Sequence, residues 1–340
     1  MSLATWHFHI EISSKCTLRC PRCARQEVPD SLVNTELDLE FFQRNFSTEF
    51  VLSNVEKITF CGDDGDPIYA HDLIPVLRYI KSIRPVEIVI VTNGSHKKTE
   101  WWQELATVLT EQDTVHFSID GWDNESNNLY RINSDFESIK QGVAALIKNS
   151  RCRTVWAAIA FRFNQEKLHD MIDQAQQWGM DGFQITKSTK FGKIYPAYGI
   201  NDALQPADEF VSSSHRFERE TILLSVRGMN NHAWKTHPIN LDLYRRNKEI
   251  NGVRPLCEIG NKGLYIDAGG RLFPCCWVAN RYSHNSEWKA IAAKFDLNRR
   301  TLADAVTDDF WETTFKTFGW QECQTKCAAS RVDEKYATEW

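Results

Sequence analysis

No stretch of this 340-residue chain is apolar for anything near the roughly 18 residues that a membrane-spanning helix needs. The opening Met1-Ser2-Leu3-Ala4-Thr5-Trp6 has no basic segment followed by an apolar core, so it does not read as a secretion signal. The expectation is a cytoplasmic protein without a membrane partner. Excess charge is also scarce: the net charge is −5 with both signs interspersed, which leaves no basic footprint for nucleic acid and disfavours RNA as a substrate. No internal repeat and no low-complexity tract is present, while 42% hydrophobic content suffices for a sizeable core. Ten cysteines without a secretion signal read better as metal ligands than as disulfides, and most of the twelve tryptophans read as packing residues.

Up to about residue 187 the chain alternates short apolar runs with longer helical patterns, the rhythm of βα units and a parallel sheet. Strands are expected at Trp6 to Ile12, Lys57 to Cys61, Glu87 to Val91, Thr114 to Ile119, Thr154 to Phe161 and Gly182 to Lys187. Helices are expected near Asp38 to Asn45, Leu73 to Ile83, Thr99 to Leu109, Phe136 to Lys148 and Gln165 to Trp178. Six such units are fewer than the eight of a closed barrel, so the fold class is α/β, a partial (β/α)6 TIM-like barrel. Ligands of such folds sit at the C-terminal ends of the strands, which gives weight to the loops that follow them. Residues 1–195 are assigned to the barrel and 196–255 to a connecting segment, in which Thr221 to Val226 could form a strand. Residues 256–340 are assigned to a small C-terminal domain.

The first such loop holds Cys16, Cys20 and Cys23 as Cys-Thr-Leu-Arg-Cys-Pro-Arg-Cys. Three thiolates from one loop can hold three irons of a [4Fe–4S] cube and leave the fourth open. A zinc site or plain loop cysteines are the alternatives, but zinc sites usually pair CxxC or CxxH units into four ligands. The second strand is followed by Cys61-Gly62-Asp63-Asp64-Gly65-Asp66-Pro67, the third by Thr92-Asn93-Gly94, and the fourth ends in Ser118-Ile119-Asp120-Gly121, with Arg131 downstream. Singly, each is an ordinary turn.

Together, in this order, they resemble the radical S-adenosylmethionine (SAM) superfamily. The triple resembles its CxxxCxxC signature, and Gly65-Asp66-Pro67 resembles the end of its Gly-Gly-Glu-Pro motif, with Asp for Glu and Asp64 for the first Gly. The resemblance implies that Gly65, Asp66 and Pro67 meet the SAM amino group, that Ser118 and Arg131 meet its carboxylate, and that Asn93 approaches the ribose. Arg22 stands where the family usually has an aromatic residue near the adenine; a guanidinium can still stack on a base. Asn164 and Lys187, at the ends of strands five and six, are further candidates for contact, whereas Lys190 reads as a solvent-facing loop residue.

Toward the C-terminus stand Cys257, Cys275-Cys276, Cys323 and Cys327, around a hairpin pattern at Leu264 to Phe273. Four cysteines from two segments make a closed site for zinc or a cluster. The arrangement resembles the twitch domain, a shortened SPASM form built of a β-hairpin plus helix, and lacks the CxxCxxxxxC run of a full SPASM domain. The resemblance implies one auxiliary [4Fe–4S] cluster on Cys257, Cys275, Cys323 and Cys327, with Cys276 as the alternative to Cys275. Cys61 and Cys152 read as small buried hydrophobes.

The implied activity is reductive cleavage of SAM to methionine and a 5′-deoxyadenosyl radical that abstracts hydrogen from substrate, with electrons from a donor such as flavodoxin or ferredoxin. Relatives with this C-terminal pattern act most often on ribosomally made peptides or proteins, in crosslinking, oxidation or bond cleavage. Because the chain starts at strand one, leader recognition is expected to need a separate partner protein. The competing readings are a dehydrogenase of a small molecule such as an aminocyclitol or nucleotide, and a non-catalytic iron–sulfur electron carrier, which leaves the strand-end motifs unexplained.

Overall fold

The computed structural model describes residues 6–26, 32–187, 202–205, 207, 213–217, 264–279 and 286–311. Six strands run parallel and pair strictly in chain order: β1 (Trp6–Ile10), β2 (Val55–Phe60), β3 (Glu87–Thr92), β4 (Thr114–Ser118), β5 (Arg153–Ala160) and β6 (Gly182–Lys187). Each crossover between neighbours carries helix: α1 (Leu39–Asn45) and α2 (Thr48–Asn54), then α3 (Leu73–Ile83), α4 (Thr99–Ala106), α5 (Asn124–Asn128) with α6 (Phe136–Asn149), and α7 (Leu168–Gln177). Sequential parallel strands with helical crossovers are the βα winding of a TIM-like barrel, here with six units.

Among the described residues the sheet does not close on itself. β7 (Ser213–Arg216) pairs antiparallel with β6, and β8 (Tyr265–Ile266) lies parallel to the free edge of β1, with β9 (Leu272–Phe273) folded back on it. The expected C-terminal hairpin therefore forms, and it extends the barrel sheet itself. Its turn is held by Asp267, whose Oδ1 accepts from the Gly269 and Arg271 amides and whose Oδ2 accepts from Arg271 Nε at 2.7 Å. The short helices α8 (Cys276–Ala279), α9 (Ser286–Lys294) and α10 (Leu302–Val306) follow.

The two faces of the sheet differ in kind. Phe8, Ile10, Ile58, Phe60, Ile88, Ile90, Phe117, Trp156 and Phe183 point outward and are buried against the helices. The strand residues between them are polar more often than in most parallel sheets, which are apolar on both faces: His7, His9, Lys57, Thr59, His116, Ser118, Gln184 and Thr186. They are only partly shielded, Thr59 excepted, and share the inner face with Val89, Val91, Val155, Ala157 and Ile159, so that face is mixed rather than a second apolar core. Desolvation, then the charges of Lys57 and Arg153, drive the His116 imidazole down to about 3 and keep it neutral.

The expected strands all form, each within two residues of its expected ends. Trp6–Ile10 stops before Ile12 because the chain there turns into the cysteine loop. Gln165 to Trp178 divides into a 3-10 turn (Gln165–Lys167) and α7. Cys152 is fully buried as expected; Cys61 is only half-buried, its carbonyl accepting from His9 Nε2 at 3.0 Å. The possible strand at Thr221 to Val226 lies outside the described residues. Among the described residues, no helix is long and apolar enough to cross a membrane.

Candidate SAM and iron–sulfur site

The loop after β1 folds around its cysteines. Cys23 N–H donates to Cys20 O at 3.1 Å, and a 3-10 turn over Ala24–Gln26 closes the segment. Cys16, Cys20 and Cys23 pack with Leu18, Tyr130, Phe161, Phe163 and Leu204, an apolar wall separate from the main core. Polar ties fix the loop to its neighbours: Asn133 Nδ2 donates to Thr17 O (2.9 Å), and Arg25 Nη1 donates to Ser14 O (2.5 Å) and Asp64 O (3.0 Å).

Donors face the sulfurs. Cys16 Sγ accepts from Leu18 N–H at 3.4 Å and lies 3.7 Å from Asn93 Nδ2, and the positive charge of Arg131 favours the Cys20 thiolate. Such donors stabilise thiolates, the form that ligates iron. Burial pushes the Cys16 thiol up to about 12, and raises Cys20, so the thiolates here want a cation. Among the described residues, no three His, Cys, Asp or Glu side chains are placed to share a single metal ion. A cube takes one thiolate per iron, so its ligands need to be spaced around it rather than to converge. The donor set and the sulfur hydrogen bonds fit such a cluster.

Beside this loop lies the turn after β2. Its glycines are required by close approach: a Cβ on Gly65 would sit 1.9 Å from Ser13 O, and one on Gly62 2.4 Å from Gly65 O. Asp66 N–H donates to Lys15 O at 2.9 Å, which pins the turn to the cysteine loop. The Asp66 carboxylate is buried and fully engaged. Oδ1 accepts from Thr92 Oγ1 (2.7 Å) and Ile68 N (3.2 Å), and Oδ2 from Asn93 N and Asn93 Nδ2 (both 2.6 Å). Burial raises its pKa against the pull of these donors. Asp66 thus holds the Thr92-Asn93-Gly94 turn, at whose centre Asn93 spans from Asp66 to Cys16, and Pro67 opens a 3-10 turn capped by Asp66.

The ends of β4 and β5 bring the cation. Arg131 Nε donates to Asp120 Oδ2 at 2.6 Å, and Asp120 Oδ1 accepts from Ile159 N at 2.6 Å. Burial raises the Asp120 pKa, opposed by Arg131. Asn127 Oδ1 accepts from the Asp120 and Gly121 amides, and Asn164 Nδ2 donates to Asp120 O and Ile159 O, so this corner is rigid. Asn164 is fully buried in that role. Ser118, on the inner face of β4, makes no side-chain hydrogen bond among the described residues and keeps its hydroxyl available.

Cys16, Cys20, Cys23, Gly65, Asp66, Pro67, Asn93, Ser118 and Arg131 therefore all lie at the C-terminal strand ends, with direct bonds linking Cys16 to Asn93 and Asn93 to Asp66, and the charge of Arg131 acting on Cys20. Arg22 is buried. Cys275 follows β9 and Cys276 opens α8, both half-buried. Cys257, Cys323, Cys327 and Lys190 lie outside the described residues, as does the side chain of Lys187. Two residues at this corner receive no site role from the sequence: Asp120, within the Ser118-Ile119-Asp120-Gly121 turn, and Glu11, within the expected strand Trp6 to Ile12. Asp120 had a signal in the Ser118-Ile119-Asp120-Gly121 element itself; Glu11 had none beyond its place before the cysteine loop.

This corner of thiols, glycine turn and anchored guanidinium lies within a segment that matches a known family. Residues 10–175 match the family model of the radical SAM superfamily, and the chain carries a radical SAM domain there. Such a domain implies a [4Fe–4S] cluster and SAM.

Individual relatives are distant. SuiB of Streptococcus suis, solved with its precursor peptide SuiA, superposes with a TM-score of 0.58 at 13% identity, covering 94% of this chain and 68% of SuiB. A structure of anSMEcpe with bound SAM gives 0.50 at 14% identity, over 88% of this chain and 79% of that one. At such identities the likeness is one of fold. Among curated proteins, the tungsten-containing aldehyde ferredoxin oxidoreductase cofactor-modifying protein of Pyrococcus furiosus is 29% identical over 114 residues. That match covers 34% of this chain and less than a third, 30%, of the Pyrococcus protein.

Proposed function

We propose that this chain is a radical SAM enzyme whose substrate is a ribosomally made peptide or a protein, modified by crosslinking, oxidation or bond cleavage. The observation that carries the reading is the meeting, at the mouth of the barrel, of Cys16, Asn93 and Asp66, bonded in series, with Cys20 and the Asp120-held guanidinium of Arg131. Bound there, a [4Fe–4S] cluster and SAM supply a 5′-deoxyadenosyl radical that abstracts a hydrogen atom from substrate. Cys16, Cys20 and Cys23 hold the cluster. The Gly62–Pro67 turn takes the SAM amino group through its backbone, with Asp66 holding that turn and Asn93 in register. Ser118 and Arg131 take the carboxylate, with Arg131 held in aim by Asp120. The wall of Leu18, Tyr130, Phe161 and Phe163 keeps water from the sulfurs.

The peptide substrate is supported by the shared fold with SuiB, which was captured with a precursor peptide. A separate leader-recognition protein and an external donor such as flavodoxin or ferredoxin complete the system. The C-terminal cysteines Cys257, Cys275, Cys323 and Cys327 would hold an auxiliary [4Fe–4S] cluster in a twitch-type domain, which would supply an acceptor for an electron from substrate. Two cubes amount to about eight irons per chain, falling by half when Cys16, Cys20 and Cys23 are replaced by Ala.

The polar residues of the inner face, with His9, Lys57, His116 and Gln184 among them, favour a second reading, oxidation of a small polar molecule such as an aminocyclitol. Anaerobic incubation with SAM, reductant and candidate peptides or polyols, followed by mass spectrometry, decides. A mass change in a peptide supports the first reading, and turnover of polyols alone replaces it with the second.

A further inference from the structure

One buried carboxylate joins the C-terminal hairpin to the glycine turn. Glu11 lies just beyond β1, where its N–H donates to Ile266 O at 2.8 Å and carries the β1–β8 pairing past the strand. Its Oε1 accepts from two successive amides, Asp64 N at 2.7 Å and Gly65 N at 2.9 Å, and its Oε2 accepts from Tyr265 Oη at 3.0 Å. Glu11 is 4% exposed and Tyr265 1%. The tyrosine ring is set in turn by His9, edge to face at 4.8 Å.

The local energetics argue against a merely architectural carboxylate. Burial, then the charges of Asp64 and Asp63, push Glu11 up to about 8, so an acid at this position is costly. An apolar side chain would suit strand packing better. What an apolar side chain cannot provide is an acceptor for two amides of the turn, which are aimed at one point and need one.

We propose that Glu11 and Tyr265 are positioning residues for SAM, so that the C-terminal hairpin is a working part of the SAM site. This rests on the reading of Gly62–Pro67 as the cradle of the SAM amino group. Glu11 fixes the Asp64 and Gly65 peptide units and with them the direction of the turn's carbonyls. Tyr265 fixes Glu11. The protonated carboxyl fills this role as well as the carboxylate, because Oε1 still accepts while Oε2–H turns to Tyr265 Oη; a glutamine can do the same through its amide.

The test uses the full chain with Glu11→Ala, Glu11→Gln and Tyr265→Phe. SAM affinity of the anaerobically cluster-loaded protein is measured by equilibrium dialysis, and amide exchange of residues 62–66 in the metal-free chain by mass spectrometry. Losing an acceptor for two buried amides predicts about ten-fold weaker SAM binding and about ten-fold faster exchange of the turn in Glu11→Ala. Tyr265→Phe loses about three-fold in each, and Glu11→Gln stays within about three-fold of wild type. Iron content and exchange in α6 stay unchanged, which separates the effect from misfolding. The proposal is overturned if Glu11→Ala and Tyr265→Phe bind SAM like wild type, or if Glu11→Gln fails as badly as Glu11→Ala. If Glu11→Ala does not fold, Tyr265→Phe, which removes one hydroxyl, decides alone. A wild-type chain that binds its cluster but no SAM would instead sink the SAM reading itself, while the exchange arm would still report whether Glu11 holds the turn.

Discussion

Asp66 offers the sharpest separation between a residue that builds the site and one that only touches its ligand. Its carboxylate accepts four hydrogen bonds in the ligand-free chain, three from N–H groups of Ile68 and Asn93 and one from the Thr92 hydroxyl. Asp66→Ala orphans the three N–H groups, at about 1–3 kcal/mol each, offset by relief of roughly 2 kcal/mol or more from no longer burying the charge. The net expectation is a loss of about 2–4 kcal/mol. In Asp66→Asn the carbonyl takes the place of Oδ2 and keeps both Asn93 donors. The amide then faces Thr92 Oγ1, which can turn and accept, and only Ile68 N–H is left over. That variant loses about 1–2 kcal/mol. Urea unfolding of metal-free protein, followed by tryptophan fluorescence, measures both. An acid that served only to meet SAM would leave the metal-free stability unchanged, so an Asp66→Ala loss under about 0.5 kcal/mol refutes the reasoning. So does an Asn variant as unstable as the Ala one.

Other perturbations probe the same corner. Glu11 is raised from 4.5 to about 8, so the native chain holds this proton more tightly than the unfolded one. Its contribution to stability is full below about pH 4.5 and is lost as pH rises through about 8, by at most roughly 5 kcal/mol. The difference between wild-type and Glu11→Gln stability should therefore grow across that window, and a flat difference contradicts the assignment. Arg131→Met leaves Asp120 buried without its cation and should lose about 3–5 kcal/mol in urea unfolding, with SAM binding lost as well; retained stability would mean that the pair is incidental. Gly65→Ala drives a methyl into Ser13 O and should cost about 3 kcal/mol or more along with SAM affinity, whereas a neutral result would disprove the close packing of the two loops.

The elements legible in the sequence are those whose burial is one-sided and long. Phe136–Asn149 and Leu73–Ile83 repeat apolar residues every three to four positions, and the six strands carry apolar runs bounded by turns. α2 and α5 were not foreseen. α5 is Asn-Glu-Ser-Asn-Asn, poor helix formers held together by a capping box between Asp123 and Ser126. β7 is Ser-Ser-His-Arg, an edge strand with no apolar alternation to betray it. At the site, contiguous motifs singled out Cys16, Cys20, Cys23, the glycine turn and Asn93, which the fold brings to neighbouring strand ends. The bonds between motifs were hidden: nothing local ties Glu11 to Tyr265, 254 positions apart, or shows that the Asp66 side chain turns toward β3.

The central claim is that this site cleaves SAM. Cluster-loaded protein incubated anaerobically with SAM and dithionite should yield 5′-deoxyadenosine, measured by chromatography with mass detection, and the yield should vanish when Cys16, Cys20 and Cys23 are all Ala. A wild-type chain that holds its full complement of iron and produces no 5′-deoxyadenosine, or a triple variant that still produces it, would contradict the account.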